Sequence, residues 1–208
     1  FRARVTFAPD WPAAPASLPA LAQPRATEVA AAELYSQRWM FHGPAYQGVA
    51  AFTGIGDNGI DGELRVPEGQ GALLDNMGQL AGYWVMEQPQ DCLAMPIGVD
   101  AIRFHGPDPL PGEMTRGQVR IRELDALNCV SDHRLADAAG RVLISIEGWR
   151  TRRYQRDKPF WVASRLLSRH EASQWVPPNV TLFEDRYDTA ILRDYISRRY
   201  LTADERRT

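Results

Sequence analysis

The stretch PEGQGALLDNMGQLAGYWVMEQP, Pro67 to Pro89, decides the fold because it is the one long segment with helical periodicity. Its apolar residues recur at spacings of three and four, as they do along the buried side of a helix. Gly78 and Gly82 lie four residues apart within it. Glycine weakens a helix but lets another backbone or a ligand approach closely. The pattern therefore predicts a central hydrophobic helix.

Strand-like stretches surround this helix. Residues 46–56 and 59–66 alternate apolar and polar side chains, and Asp57-Asn58-Gly59 between them is typical of a hairpin. A shorter helix, Thr27 to Trp39 with Thr27 as its cap, is predicted before them. Four further strand-like stretches follow the long helix, at residues 93–106, 113–124, 126–137 and 141–154. The order predicts an α+β fold in which an antiparallel sheet wraps around the long central helix.

The composition is that of a globular protein without a strongly charged partner. The chain has 208 residues, a formal net charge of -2, and 44% hydrophobic residues. It has no basic block to follow a nucleic-acid backbone and no apolar run long enough for a membrane helix. Cys92 and Cys129 lack metal-ligand spacing, so we expect reduced core thiols in a cytoplasmic protein. The composition therefore predicts neither a nucleic-acid partner nor a membrane partner.

The two ends of the chain suggest a piece of a longer polypeptide. Residues 1–8 alternate as a strand does, and residues 9–26 are rich in proline and alanine, as in a linker. We interpret 1–8 as the last strand of a preceding domain, although an artificial truncation would look the same. Residues 27–154 form the main domain, and 155–208 are a C-terminal extension that leads into a further domain or a docking segment. An amphipathic helix is predicted within that extension, at residues 189–201.

Asp75 and Gln79 are the candidate catalytic pair in the long helix. Their spacing of four places both polar groups on one face, one turn apart. A desolvated carboxylate oriented by the amide would have a raised pKa and would act as a general acid. Alternatively, Asp75 is an exposed residue near the start of the helix, where the helix dipole favours it. Spacing alone leaves both interpretations open.

A second motif is FHGPAYQG, Phe41 to Gly48, where Gly43 and Pro44 separate a helix from a strand. His42 and Tyr46 crowd the same corner, although a simple turn needs only the Gly-Pro pair. Taken singly, they read as a surface histidine and an ordinary strand aromatic. The sequence contains no Gly-rich phosphate loop, no HExxH and no GxSxG, so nucleophilic and metalloprotease chemistry has no support.

Four motifs in order give a family resemblance. They are FHGPAYQG, LLDNMGQ in the long helix, MPIGVDAIRF in the next strand, and DAAGRVLISIEG near the end of the sheet. In this order and spacing, Thr27 to Tyr154 resembles the C-terminal half of a polyketide synthase dehydratase domain, part of a longer type I polyketide synthase. The resemblance implies a hotdog fold, here the second hotdog of a double hotdog.

The resemblance also implies a function. Such a domain eliminates water from a β-hydroxyacyl chain on an acyl carrier protein and leaves an enoyl chain. Carried over by motif, Asp75 is the general acid and Gln79 its hydrogen-bonding partner. The substrate-binding positions that the motifs imply are His42, Gly43, Pro44, Tyr46 and Gly78. No metal and no cofactor is expected beyond the phosphopantetheine that carries the substrate. The expected partners are the carrier protein, an upstream hotdog half, the other synthase domains and a second copy in a homodimer.

The sequence departs from the family at several positions, and three of these departures bear on the site. His42 stands where the family has tyrosine, and Gly78 stands where a larger apolar residue is common, which predicts a wider pocket. The H-x-x-x-G-x-x-x-x-P motif that carries the general base is absent, since no histidine has glycine four residues on. The base is therefore expected in an upstream segment, and this chain supplies the acid half. The alternatives are a non-catalytic hotdog that binds an acyl chain or shapes a product, a structural dimerisation piece, and a single-hotdog thioesterase.

Overall fold

The computed structural model describes residues 3–36, 39–40, 42–88 and 92–155, without the side chains of residues 92, 93 and 155. The helices are α1, Ala31–Ser36, and α2, Ala72–Met86, with a single 3₁₀ turn at Pro44–Tyr46. The strands are β1, Val49–Gly56; β2, Gly59–Arg65; β3, Cys92–Gly98; β4, Ala101–Phe104; β5, Met114–Leu124; β6, Asn128–Ala136; and β7, Val142–Gln155. The predicted α+β class is confirmed.

The strands form a single antiparallel sheet in the order β1-β2-β5-β6-β7-β3. Strand β4 also pairs with β7, so β3 and β4 share this long strand end to end. The stretch 93–106, predicted as one strand, is therefore two strands. The break falls at residues 99–100, where the Asp100 amide donates to the carbonyl of Glu147.

Helix α2 packs against one face of the sheet and forms the core with it. Leu80, Tyr83 and Trp84 are almost completely buried. The Trp84 indole N–H donates to the carbonyl of Gly56, 2.8 Å away, so the polar atom of this ring is satisfied where water is excluded. Burying side chains of this size stabilises the fold by about 1.5–3 kcal/mol each. The predicted central helix is thus the centre of the hydrophobic core.

Both helices are shorter than the predicted ranges. The first begins at Ala31 rather than Thr27 because the Thr27 hydroxyl donates to the carbonyl of Val29 and does not cap. The Glu33 carboxylate instead accepts from the amide of Ala30, 3.0 Å away. Helix α2 begins at Ala72 because Gly71 has a φ of 73°, a left-handed conformation that a continuing helix excludes.

The predicted linker is attached to the sheet along much of its length. We call residues 12–25 the strap, because this segment crosses the outer face of the sheet, from the end of β4 to the β1–β2 hairpin. Its contacts are a 3.1 Å approach of the Pro12 carbonyl to His105, a 2.7 Å hydrogen bond from Arg120 to the Pro19 carbonyl, and a backbone bridge between Arg25 and Ile55. Arg120 is 6% exposed and is also paired with Asp61. The strap therefore covers charged groups on the outside of the sheet.

Residues 3–8 form no strand, and Val5 and Phe7 are exposed. A strand is stable only against a partner strand, and the predicted partner belongs to a hotdog outside this chain, so that assignment stays a prediction. The extension from residue 156 onward, with its predicted helix, lies outside the described residues. No helix in the described part of the chain is long and apolar enough to cross a membrane.

Cys129 is a free, buried thiol, as predicted for a reduced core cysteine. Burial raises the pKa of Cys129 to about 11. The thiol is therefore protonated near neutral pH and unreactive as a nucleophile. The side chain of Cys92 is not among those described.

Candidate active site

A cavity of about 440 Å³ lies between one side of α2, the corner at residues 42–46, and strands β3 and β7. Asp75, Gln79 and His42 supply its polar wall, and Met40, Met86 and Trp149 contribute apolar walls. The most distant of these residues, Met40 and Trp149, are more than 100 positions apart in the sequence. The wrapping of the sheet around α2 brings them together.

Asp75 and Gln79 form the predicted pair. Gln79 Nε2 donates to Asp75 Oδ2 over 2.7 Å. Gln79 is 3% exposed, whereas the Asp75 side chain is 39% exposed in the first turn of α2. The carboxylate therefore lies near the start of the helix and is also held by the amide, as both interpretations expected of its position.

Tyr35 fixes the orientation of the Gln79 amide. Its hydroxyl donates to Gln79 Oε1 over 2.7 Å and accepts from the amide of Val49 over 3.1 Å. Burial raises the pKa of Tyr35 to about 12, so the phenol keeps the proton that it donates. Sequence reasoning did not identify Tyr35 as a residue of the site. No local signal identifies it, because 44 residues separate it from Gln79.

His42 lies beside the same carboxylate. Its Nε2 is 3.2 Å from Asp75 Oδ2, and its side chain is 17% exposed. Burial lowers the pKa of His42, and the negative charge of Asp75 opposes this shift. The imidazole is therefore mostly neutral near neutral pH.

The corner at residues 42–46 is attached to α2 through one carbonyl. Asn76 Nδ2 and Gln79 Nε2 both donate to the Tyr46 carbonyl, over 2.6 and 2.9 Å. Gly43 and Tyr46 line the cavity together with His42, whereas Pro44 of the predicted set does not. Pro44 instead starts the 3₁₀ turn. The corner thus carries its aromatic and imidazole groups to the predicted acid.

Gly78 lines the cavity, and a large side chain of the sheet lies against it. The indole of Trp149 in β7 occupies the adjacent space, and a Cβ at Gly78 would lie 2.7 Å from Trp149 Cζ2. Trp149 lines the cavity and packs against the fully buried His133, with ring centroids 5.4 Å apart. The space that a side chain at Gly78 would occupy is therefore filled by the indole of Trp149 from the sheet. The sequence analysis did not identify Trp149 as a residue that lines the site.

Comparison with known proteins places this geometry in a family. A family model described as "Polyketide synthase dehydratase N-terminal domain" matches residues 12–160. No curated protein matches the sequence significantly.

Solved dehydratase structures share the fold at low sequence identity. An isomerase-inactive variant of GphF DH1 is 17% identical with a TM-score of 0.52, over 75% of this chain and 56% of that one. The dehydratase domain from the CurJ module of curacin polyketide synthase is 16% identical with a TM-score of 0.51, over 61% and 50%. The chain spans about half the length of these structures. It belongs to the polyketide synthase dehydratase family and has the hotdog fold.

Proposed function

We propose that this chain is the acid-bearing hotdog of a polyketide synthase dehydratase that converts a β-hydroxyacyl chain on an acyl carrier protein into an enoyl chain. Dehydratase domains of this family are hydro-lyases that act within multidomain synthases on carrier-bound acyl chains. The observation that carries the proposal is the carboxylate of Asp75, oriented by Gln79 at the wall of a mostly apolar cavity.

The cavity suits an acyl chain with one polar position. Its volume of about 440 Å³ falls within the range of small-molecule sites. Each methylene group buried against Met40, Met86 or Trp149 contributes about 0.8 kcal/mol to binding. The β-hydroxyl would then lie at the polar wall, next to Asp75. Because the substrate arrives on the phosphopantetheine arm of the carrier protein, the proposed reaction needs no other cofactor.

The two oxygens of Asp75 have different surroundings. Oδ2 accepts from Gln79 and lies beside His42, whereas Oδ1 has no hydrogen-bond partner within the described part of the chain. In its acid form, Asp75 would carry the proton on Oδ1 and donate it to the departing β-hydroxyl, which leaves as water. Gln79 would stabilise the carboxylate that forms, since its N–H bond to Oδ2 is already in place.

The assignment to the second hotdog depends on the motifs. The description of the matching family model names an N-terminal domain, whereas LLDNMGQ on α2 and the FHGPAYQG corner are motifs of the C-terminal half by resemblance. The contact between these two motifs at Tyr46, Asn76 and Gln79 supports the second assignment. An upstream hotdog half, the carrier protein and a homodimer remain proposed partners.

Mass spectrometry of a β-hydroxyacyl carrier protein tests the proposal. The natural gene product that contains this chain should release one water from the bound chain, and Asp75→Asn should abolish that loss while the circular dichroism spectrum stays unchanged. Asp108→Asn, at an exposed loop position, is the matched control and should keep full activity. Full activity of Asp75→Asn would contradict the role of the acid, and acyl binding without water loss in the wild type would favour a non-catalytic hotdog.

A further inference from the structure

We propose that the end of the cavity formed by Met40, Gly82 and Met86 binds the far end of the acyl chain and sets its preferred length. The chain that this end accepts is a hydrocarbon tail without oxygen substituents. This inference rests on the proposed dehydratase function and deepens it, because it names the class of acyl chain that reaches the acid. Asp75 lines the opposite end of the same cavity.

The cavity extends lengthwise along α2. Among the helix residues that line it, Asp75 lies in the first turn and Met86 is the last residue, about 16 Å further along the helix axis. Gly78 and Gly82 line the cavity between them. Because these positions fall on one side of the helix, an acyl chain can lie parallel to α2, with its β-carbon at Asp75 and its tail directed to Met86.

The two ends of the cavity differ in exposure. The Asp75 side chain and Tyr46 are partly exposed, whereas Met40 and Met86 are 8% and 5% exposed and Gly82 is buried. The phosphopantetheine arm contains amide groups, which are costly to bury without hydrogen-bond partners. The arm is therefore expected at the exposed end, and the apolar tail at the buried end.

Met40 lies against the helix at the buried end. A Cβ at Gly82 would lie 3.3 Å from Met40 Cε, so the terminal methyl group of Met40 approaches the helix where glycine has no side chain. Methionine is unbranched and flexible, and its side chain adjusts to the shape of a neighbouring group. Met40 and Met86 therefore favour tails that just fill this end, with affinity that changes gradually with chain length.

The walls of this end offer little to a polar tail. Strand β3 begins six residues after α2 ends, so Ala94, which lines the cavity, lies near Met86. The Thr151 hydroxyl also lines the cavity, but it donates to the carbonyl of Cys129. Methionine and alanine side chains have no N–H or O–H group, so an oxygen on the tail would lose its water here. The proposed step therefore follows reactions that have removed oxygen from the earlier part of the chain.

Binding of pantetheine thioesters to the natural gene product that contains this chain tests the inference. Saturated butanoyl, octanoyl and dodecanoyl thioesters lack the β-hydroxyl group, so calorimetry measures their binding without turnover. We expect the affinity of the wild type to rise from butanoyl to octanoyl by up to about fourfold for each added methylene group. A hydroxyl group on the last carbon of the octanoyl chain should lower the affinity about tenfold.

Substitutions at the buried end should shift the length preference in opposite directions. Met40→Ala vacates space and should raise the ratio of dodecanoyl to octanoyl affinity about tenfold, whereas Gly82→Ala should lower it about fourfold. Butanoyl binding should stay unchanged in both variants. Met114→Ala, at an exposed position of β5, is the matched control and should alter none of these affinities.

Circular dichroism checks the fold of each variant. The added methyl group of Gly82→Ala meets only the flexible end of Met40, so this variant carries the test if Met40→Ala does not fold. Differences between variant and wild type isolate this cavity from any other acyl site in the same polypeptide. Equal changes for all three thioesters, or equal wild-type affinity for butanoyl and octanoyl, would overturn the inference.

The outcomes also separate this inference from the proposed function. If the length preference shifts as expected while a β-hydroxyacyl carrier protein loses no water, the buried end binds acyl tails and the dehydratase function is wrong. If water loss depends on Asp75 while Met40→Ala and Gly82→Ala keep the wild-type length preference, the dehydratase function stands and the inference is wrong.

Discussion

The hydroxyl of Tyr35 lies 2.7 Å from Oε1 of Gln79, and this contact sets which end of the amide faces Asp75. With Oε1 accepting from Tyr35, the Nε2 group points to the carboxylate and to the Tyr46 carbonyl. A residue of the six-residue helix α1 thus positions a residue of the central helix. The short helix, which the sequence marks only weakly, is therefore part of the site.

Tyr35→Phe should reduce activity while leaving substrate binding largely unchanged. The variant loses the donor to Gln79 and leaves the Val49 amide without its acceptor, which costs roughly 1–3 kcal/mol of unfolding free energy. Since Gln79 is then free to rotate, we expect kcat to fall about tenfold while KM changes little. Steady-state kinetics and urea unfolding measure the two effects. Tyr154→Phe, at a half-exposed position, is the control, and an unchanged kcat in Tyr35→Phe would contradict the positioning role.

The indole of Trp149 fills the space beside Gly78, so a larger side chain at position 78 requires a smaller one at position 149. Gly78→Leu places a side chain where the indole lies, since even a Cβ would be 2.7 Å from it. We expect a loss of about 1–3 kcal/mol of unfolding free energy from overpacking. Trp149→Leu should lose stability through the vacated volume. The double variant should be more stable than the sum of the two changes predicts.

Urea unfolding of the four proteins in a double-mutant cycle measures this coupling. We also expect Trp149→Leu to extend the preferred acyl chain, because the indole is one wall of the cavity. Competition between thioesters of different chain length checks this shift. Additive stability changes, with unaltered chain preference, would show that the two residues do not compete for space.

His133 should make the fold sensitive to acid. Burial lowers the pKa of His133 to about 3, with a smaller contribution from Arg134, and its Nε2 contacts the Ser131 hydroxyl at 2.8 Å. The unfolded chain has the ordinary value of 6.5. Below that pH the unfolded state binds a proton that the native state does not, so stability falls as the pH drops from about 6.5 towards about 3.

His133→Leu removes the loss of stability that comes from protonation of this histidine in the unfolded state, although it also changes the packing against Trp149. As the pH falls from about 6.5 to about 5, the free energy of unfolding of the wild type should decrease by about 2 kcal/mol more than that of the variant. Urea unfolding at several pH values measures both curves, and the other titrating groups largely cancel in the difference. Parallel curves over this range would mean that His133 is not the acid-sensitive group.

The sequence predicts the elements because their signals are local. The three- and four-residue spacing around Leu80 and Trp84 identifies α2, and the alternation along β5 and β6 identifies strands whose buried faces the structure confirms. Helix ends are predicted less well. The left-handed conformation of Gly71 makes Ala72 the first residue of α2. The Thr27 hydroxyl donates to the Val29 carbonyl instead of capping α1.

By itself, the sequence determined the α+β class, the central helix and the Asp75–Gln79 spacing, since these depend on residues within one or two turns. Only the tertiary structure decided that Tyr35 orients Gln79, that His42 meets Asp75, and that Trp149 fills the space beside Gly78. Periodicity shows which face of an element is buried. Which side chains meet there depends on how the elements pack, and here packing joins a corner, a helix and a distant strand into one site.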